Sequence, residues 1–389
     1  MRWIDALHGD IWRLVRVRLA KTVLRMLLGQ VVAEIPSRYM TDLTLFLPLP
    51  DVSRHVIECA PWTPPFVEQY DFPTNYPLEF RRSHAFDQRF IYRVSDVIAA
   101  PRSGVVLITE QGRMMGESCG ALLRSIGWGD VRPDLLAHPF KPPWRGPVVL
   151  SPPTGYYHWL LEILPRVLAA RDIEPTVKAV VPSDCPRYIT DALALLGIEL
   201  LETRSRSVRL DHVLVPAALQ DPGFIPRVDI DRLCETVLPK LSGLHDGQVP
   251  PELVYASRAK DACRRLGNER SVEQLVSELG FVVVYMQDMT WSEQVRQMSK
   301  AQVVVAPHGA GLANMIWSNT LKSVIEIFPV NFRNDCYANL AVKRGAEYSF
   351  LVSEHDPQSS GMVDLQELER MILSILQMRE PREREAVSN

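Results

Sequence analysis

No two cysteines of this chain stand in a CxxC pair: Cys59, Cys119, Cys185, Cys234, Cys263 and Cys336 are scattered over 389 residues. That spacing argues against a zinc site and against a disulfide framework, and it fits a reducing compartment. An excess of one charge sign is also missing. The formal net charge is −3, which excludes the whole molecule as a binder of nucleic acid or another polyanion. No apolar run is long enough to cross a bilayer as a helix. There is no repeat of solenoid period and no low-complexity tract. What remains is an ordinary globular composition, 47% apolar and 23% charged, with enough chain for two domains and sizeable cores.

The first stretch differs from the rest. In "MRWIDALHGDIWRLVRVRLAKTVLRMLLGQVV" the residues Ile4, Leu7, Ile11, Leu14, Val15 and Leu19 recur at helical spacing, and Arg13, Arg16, Lys21 and Arg25 lie mostly off that stripe. Arginines interrupt the apolar stretch, so it does not read as a signal peptide. A basic amphipathic helix over 1–35 either packs on its own protein or lies on an anionic membrane surface through residues 1–30. Residues 36–82, rich in proline and aromatics, read as an irregular wrapping segment. Residues 90–118 read as short strands joined by turns, a β-rich prelude that lasts to about 146.

From 147 strand and helix alternate: "PVVLS", "YYHWLLEILPRVLAA", "VKAVVP", "PRYITDALALLG", "DHVLVPA". The prolines of 220–250 mark a junction. The alternation then resumes with "ELVYASR", "SVEQLVSELG", "FVVVYM", "TWSEQVRQMSKA", "QVVVAP", "GAGLANMIWS", "SVIEIFP", "CYANLAVKRG" and "EYSFLV", and it closes with the helix "DLQELERMILSILQMR" and a charged tail read as frayed. Unbroken Val and Ile runs suit strands of a parallel sheet buried on both faces. The fold class is α/β, with boundaries at 1–35, 36–240, 250–355 and 356–389.

Strand "VVVAP" hands over to "HGAGLANMIWS" through His308, Gly309, Ala310 and Gly311. In an open α/β sheet a ligand sits at the carboxyl ends of the strands. Glycines there allow backbone N–H groups to approach an anion, and a following helix adds its dipole and unpaired N–H groups. This is where a phosphate or diphosphate would dock, with a hydrogen bond from His308 and Asn314 on the same helical face. Arg258 leaves the end of strand "LVYAS"; Arg264, Arg265, Asn268 and Glu269 follow it. Arginine forks match phosphate oxygens. Glu326, in "VIEIF", is placed to accept the two hydroxyls of a ribose. In the first half His158 and Glu162 are four apart and share a helix face, with Arg166 continuing the stripe; a histidine held by a carboxylate can take up a proton. Pro165 implies a kink in that helix.

Taken in order, "HWLLEILPR", "SR…RRLGNE", "PHGAGLANMIW" and "VIEIFP" resemble the family 61 glycosyltransferases, over about residues 85–352. That family includes plant xylan-decorating enzymes, animal O-linked N-acetylglucosamine transferases and bacterial capsule-polysaccharide proteins. The resemblance implies a GT-B-like fold of two facing Rossmann-type domains and an inverting, metal-independent transfer without cofactor. It implies a nucleotide-sugar donor in the C-terminal domain, on Arg258, Arg264, Arg265, Asn268, Glu269, His308, Gly309, Ala310, Gly311, Asn314 and Glu326. The acceptor, a glycan or lipid-linked glycan, would lie on the N-terminal side. There His158 and Glu162 would supply the base, in either assignment. Capsule or exopolysaccharide synthesis in the cytoplasm, peripheral to the inner face of the membrane, is the implied setting. "LANMIW" departs from the threonine and phenylalanine that members often carry.

Three other readings compete. "GESCG" at 116–120 fits the GxSxG elbow of serine hydrolases, but there the oxyanion loop precedes the serine and here "HGAG" follows it. "DID" at 229–231 resembles a DxD metal motif, but it falls in a helical pattern where i and i+2 point to different faces. A non-catalytic relative scaffolding a polysaccharide assembly complex would bind nucleotide sugar without turnover.

Overall fold

The computed structural model describes residues 56–70, 80–108, 113–114, 118, 144–219, 221, 223–241, 249–261, 264–354 and 361–387. The amphipathic stretch 1–35 lies outside the described residues. Among the described residues no helix is long and apolar enough to cross a membrane.

Two sheets carry the architecture. The first holds β1 (Val56–Thr63), β4 (Arg89–Val94), β5 (Val97–Ala100), β6 (Val105–Ile108), β7 (Arg113–Met114), β8 (Trp144–Leu150), β9 (Lys178–Pro182), β10 (Leu200–Thr203) and β11 (Val208–Pro216); β2 (Phe66–Gln69) and β3 (Ser83–Phe86) form a separate hairpin. Its centre is parallel, in the order β10-β9-β8-β11. The long β11 then branches: its first half pairs with β5 and its second half with β4, both antiparallel. The β-rich prelude therefore widens the N-terminal parallel sheet.

The stretch expected to be irregular over 36–82 contains β1 and β2. Pro61 sits within β1 opposite Phe90 and is tolerated because, among the described residues, β1 pairs only with β4. Strand β10 ("LLET") also escaped the sequence reading, since four residues with two polar neighbours give no period to follow.

The second sheet is wholly parallel: β12 (Leu253–Ala256), β13 (Val282–Val284), β14 (Val303–Pro307), β15 (Ser323–Phe328) and β16 (Glu347–Val352), in the order β13-β12-β14-β15-β16. Every residue of β14 and β15 is buried. Helices cover both faces, as unbroken apolar strands require. One core runs between the two sheets. Trp159, Leu160 and Leu164 of the first half join Trp291, Trp317 and Phe328 of the second in a single apolar cluster.

The helices are α1 (Tyr156–His158), α2 (Leu164–Ile173), α3 (Arg187–Leu195), α4 (Arg227–Leu241), α5 (Glu269–Glu278), α6 (Trp291–Met298), α7 (Cys336–Lys343) and α8 (Leu365–Val387). Two departures from the sequence reading stand out. The tail expected to fray continues as helix to Val387. "AGLANMIW" (Ala310–Trp317) is a 3-10 helix, whose poorer hydrogen-bond geometry makes it a weaker dipole than the α-helix expected there.

Buried charges tie the hairpin and the junction together. Arg89 forms two hydrogen bonds to Asp229 at 2.7 and 2.9 Å, both side chains nearly sealed from water. Asp229 is therefore occupied, while Asp231 faces Arg344 at 3.6 Å; the two acids of "DID" serve different partners. Lys343, buried, meets Glu68 at 2.9 Å, and Glu68 also accepts the Arg227 backbone N–H at 2.7 Å. Ser118 is buried, and its hydroxyl accepts the Val106 N–H at 3.1 Å, a structural position within the prelude rather than an exposed elbow.

Candidate active site

Strand order locates two crevices. In the first sheet the chain leaves β8 toward β9 on one side and returns to β11 on the other. In the second it leaves β12 toward β13 and returns to β14. Beyond the carboxyl ends of such strands, neighbouring connections part and leave room for a ligand. His158 follows β8, and Gly223 follows β11. Arg258 follows β12, and His308 with Gly309 follows β14.

The helix bearing His158 is not uniform. Between α1 and α2 lies a π-helical turn, Trp159–Ile163, in which the Leu164 N–H donates to the Trp159 carbonyl, five residues back. The expected kink at Pro165 takes this form. Proline has no N–H to offer, so the wider turn before it absorbs the missing bond. Glu162 sits in that turn. It meets His158 Nδ1 at 2.8 Å through Oε1, and the same oxygen accepts the Gly223 N–H at 3.1 Å. The two switch-point loops of the first sheet are thus joined through one carboxylate. The His158 side chain stays 42% exposed while Glu162 is largely covered. The hydrogen bond to Glu162 raises the His158 pKa above the ordinary histidine value, against the opposing effect of burial. Arg166 is spent on structure, donating to the carbonyls of Pro216 and Ser118 at 2.8 Å each.

In the second crevice Arg258 lies across Gly309. A Cβ built on that glycine would meet Cζ of Arg258 at 2.6 Å. Gly309 has φ 177°, extended backbone open to any residue. Its missing side chain therefore matters for the arginine's passage and not for a left-handed turn. Gly311 gives similar room to Met286, 3.3 Å from a hypothetical Cβ, and Ala310 between them is half-buried. Arg258 is also paired with Asp261 at 2.9 Å. Arg264 holds φ 56°, a left-handed conformation that costs a non-glycine residue about 1–2 kcal/mol. Its guanidinium lies 5.7 Å from the Phe332 ring centroid, and that ring meets His308 edge-on at 5.0 Å. Arg265 is exposed beside it.

Four of the expected donor contacts have other work. Glu326, expected to take ribose hydroxyls, is fully buried; it pairs with His308 Nδ1 and accepts the Tyr348 hydroxyl at 2.5 Å. It lies within β15, not at its end. Glu269 is buried too. Its carboxylate accepts the Tyr255 hydroxyl at 2.8 Å, the Ser257 hydroxyl at 3.0 Å and the Arg258 N–H at 3.1 Å, so it shapes the loop that presents Arg258. Asn268 is clasped to the backbone of Val363 through both side-chain ends, at 2.8 and 3.1 Å.

Asn314 is sealed between the two halves. Its Oδ1 accepts Tyr156 at 2.6 Å and Trp317 Nε1 at 3.1 Å, and its Nδ2 donates to Gln294 at 3.1 Å. Gln294 comes from α6, which is set by a capping box between Thr290 and Glu293.

Aromatic rings connect the crevices. Tyr157 meets His158 at 5.4 Å and Tyr337 at 5.4 Å, and Tyr337 meets His308 at 5.2 Å. The Tyr157 hydroxyl donates to the Gly223 carbonyl at 2.9 Å. The structure therefore brings together His158, Glu162, His308, Gly309, Arg258 and Arg264. Sequence reading missed Tyr157, Gly223, Phe332 and Tyr337. Phe332 had a usable signal, an aromatic in the loop leaving the carboxyl end of β15.

Residues 156–325 match the model of a family described as Glycosyltransferase 61. The match takes in both crevices and stops one residue before Glu326. No curated protein matches the chain.

Proposed function

From the premise that residues 156–325 match the Glycosyltransferase 61 model and that the chain is a glycosyltransferase, we propose that it transfers a sugar from a nucleotide-sugar donor to a glycan hydroxyl by single displacement, inverting the anomeric centre in a GT-B-like arrangement. The observation that carries this reading is the Tyr157–Tyr337 contact, which joins a half-exposed His–Glu pair to a cationic niche at the end of a parallel sheet.

The donor's diphosphate sits against Arg258, Arg264, the Gly309–Gly311 backbone and His308. The acceptor approaches from the His158 side. His158, oriented by Glu162, takes the proton of the acceptor hydroxyl. The hydroxyl oxygen forms a bond to the anomeric carbon as the bond from that carbon to the diphosphate oxygen breaks. The leaving electron pair stays on the diphosphate, where the arginines and backbone N–H groups stabilise it without a divalent ion. Glu162 as the base with His158 in support is the reverse assignment. The setting we favour is the cytoplasm, at the inner face of the membrane. The pathway we favour is capsule or exopolysaccharide synthesis on a glycan or lipid-linked acceptor, with the 1–30 stretch as a peripheral membrane contact.

The test is a thermal-shift and product screen against UDP-, GDP-, CDP-, CMP- and dTDP-sugars. Stabilisation by one donor, with release of its nucleotide in the presence of acceptor glycans, supports the reading. Binding without transfer or hydrolysis would favour the scaffold, and no binding would remove the donor niche.

A further inference from the structure

Behind the niche three side chains stand in line across adjacent strands. Tyr348 on β16 donates its hydroxyl to Glu326 on β15 at 2.5 Å, and the other oxygen of Glu326 meets Nδ1 of His308 at the end of β14. The imidazole is packed on several sides: stacked on Phe328 at 5.5 Å, with Phe332 at 5.0 Å and Tyr337 at 5.2 Å against it edge-on. The ring is held in place with Nδ1 turned inward, and Nε2 is the nitrogen left for a ligand.

We propose that Glu326 and Tyr348 are positioning residues that fix His308 as an Nε2–H donor to the donor diphosphate, with Glu326 and His308 sharing a single proton. The proposal rests on the donor reading above. Three protonation states compete. A carboxylate beside a neutral imidazole leaves an uncompensated negative charge in a fully buried place and turns a lone pair toward an anionic ligand. An ion pair, or a carboxylic acid beside an imidazole protonated on Nε2, carries no net charge, and both present Nε2–H. Burial without full compensation is costly, so the two neutral arrangements are preferred.

The surroundings agree. Burial pushes the Glu326 carboxyl up, with the bond to His308 opposing it. Cys336 and Tyr337, which also face the pair, are held well above their ordinary values by burial and stay uncharged. Arg258 and Arg264 act on Tyr337 from the niche side and supply the positive charge that draws the ligand in.

A glutamine at 326 reproduces the neutral arrangement. Its amide N–H donates to Nδ1, its oxygen accepts Tyr348, and Nε2–H is retained without a titrating partner. A leucine does neither.

The experiment has two arms. In the first, the full chain is labelled with 15N-histidine, and the His308 resonances are assigned by difference with His308→Gln. A protonated Nε2 at neutral pH supports the proposal; a bare Nε2 with the proton on Nδ1 overturns it. In the second, calorimetry with UDP and GDP compares the unaltered chain, Glu326→Gln and Glu326→Leu. Affinity of Glu326→Gln within about threefold of the unaltered chain, with at least a tenfold loss in Glu326→Leu, supports the proposal. A Glu326→Gln protein that melts normally yet binds as weakly as Glu326→Leu overturns it. No uptake of either nucleotide by the unaltered chain overturns the donor reading itself, whereas a bare Nε2 with normal uptake sinks the positioning role alone.

Discussion

Each crevice contains a histidine bonded through Nδ1 to a glutamate, and the two pairs are built in opposite ways. His158 and Glu162 are four residues apart on one helical run, and the histidine is 42% exposed. His308 and Glu326 come from neighbouring strands, with the glutamate fully buried. The first pair can be formed by local geometry alone and remains open to proton exchange. The second exists only once β14 and β15 lie side by side, and it is closed in by aromatic rings. On the proposed reading the contrast separates two tasks: a mobile proton at the open pair, and a fixed hydrogen-bond donor at the closed one.

Substitutions should pull these tasks apart. The largest effect is expected at His158. His158→Ala should lower kcat by about 10²–10⁴-fold, with donor affinity measured by calorimetry within about twofold of the unaltered chain; comparable turnover would take His158 out of the mechanism. At the closed side, Gly309→Ala forces Arg258 from its path. We expect donor affinity to fall about 10–100-fold, the worth of one charge-assisted hydrogen bond, with little change in kcat at saturation.

Asn314→Ala strands the Tyr156 hydroxyl and the Trp317 N–H between the halves. It should cost about 1–3 kcal/mol of stability by denaturant titration, and an unchanged midpoint would show that water replaces the amide. The pH profile sharpens the open pair. A base must be unprotonated, and Glu162 raises the His158 pKa. The acid limb of kcat/KM should therefore lie above about 6.5 and move to lower pH in Glu162→Gln; an immobile limb would assign it to another group. The smallest effect is expected at exposed Arg265, where replacement by Ala should change stability by less than about 0.5 kcal/mol.

Much of this arrangement could be read from the sequence, for identifiable reasons. The parallel sheet shows in "VVVAP" and "SVIEIF" because strands buried on both faces need no polar alternation. His158 and Glu162 could be paired because their spacing is a helical constant. Glu326 could not be read correctly: an acid in an apolar strand looks the same whether it ends at a ligand or is held by Tyr348 across the sheet. The partners of Asn268 and Asn314 were hidden for the same reason, since Val363, Tyr156 and Gln294 are distant in sequence. The 3-10 form of Ala310–Trp317 was hidden because an apolar run of eight suits either helix. Pro61 inside β1 shows the converse, a local signal overruled by an edge position that only the sheet defines.

The central claim is that the crevice beyond β12 and β14 captures the diphosphate of a nucleotide. Calorimetric titration of UDP, GDP and CDP into the unaltered chain and into Arg258→Ala tests it most directly. The account predicts saturable binding of at least one nucleotide that weakens by about tenfold or more in Arg258→Ala, the loss expected for one charge-assisted contact. Equal affinity in the two proteins would place the nucleotide elsewhere and contradict the account.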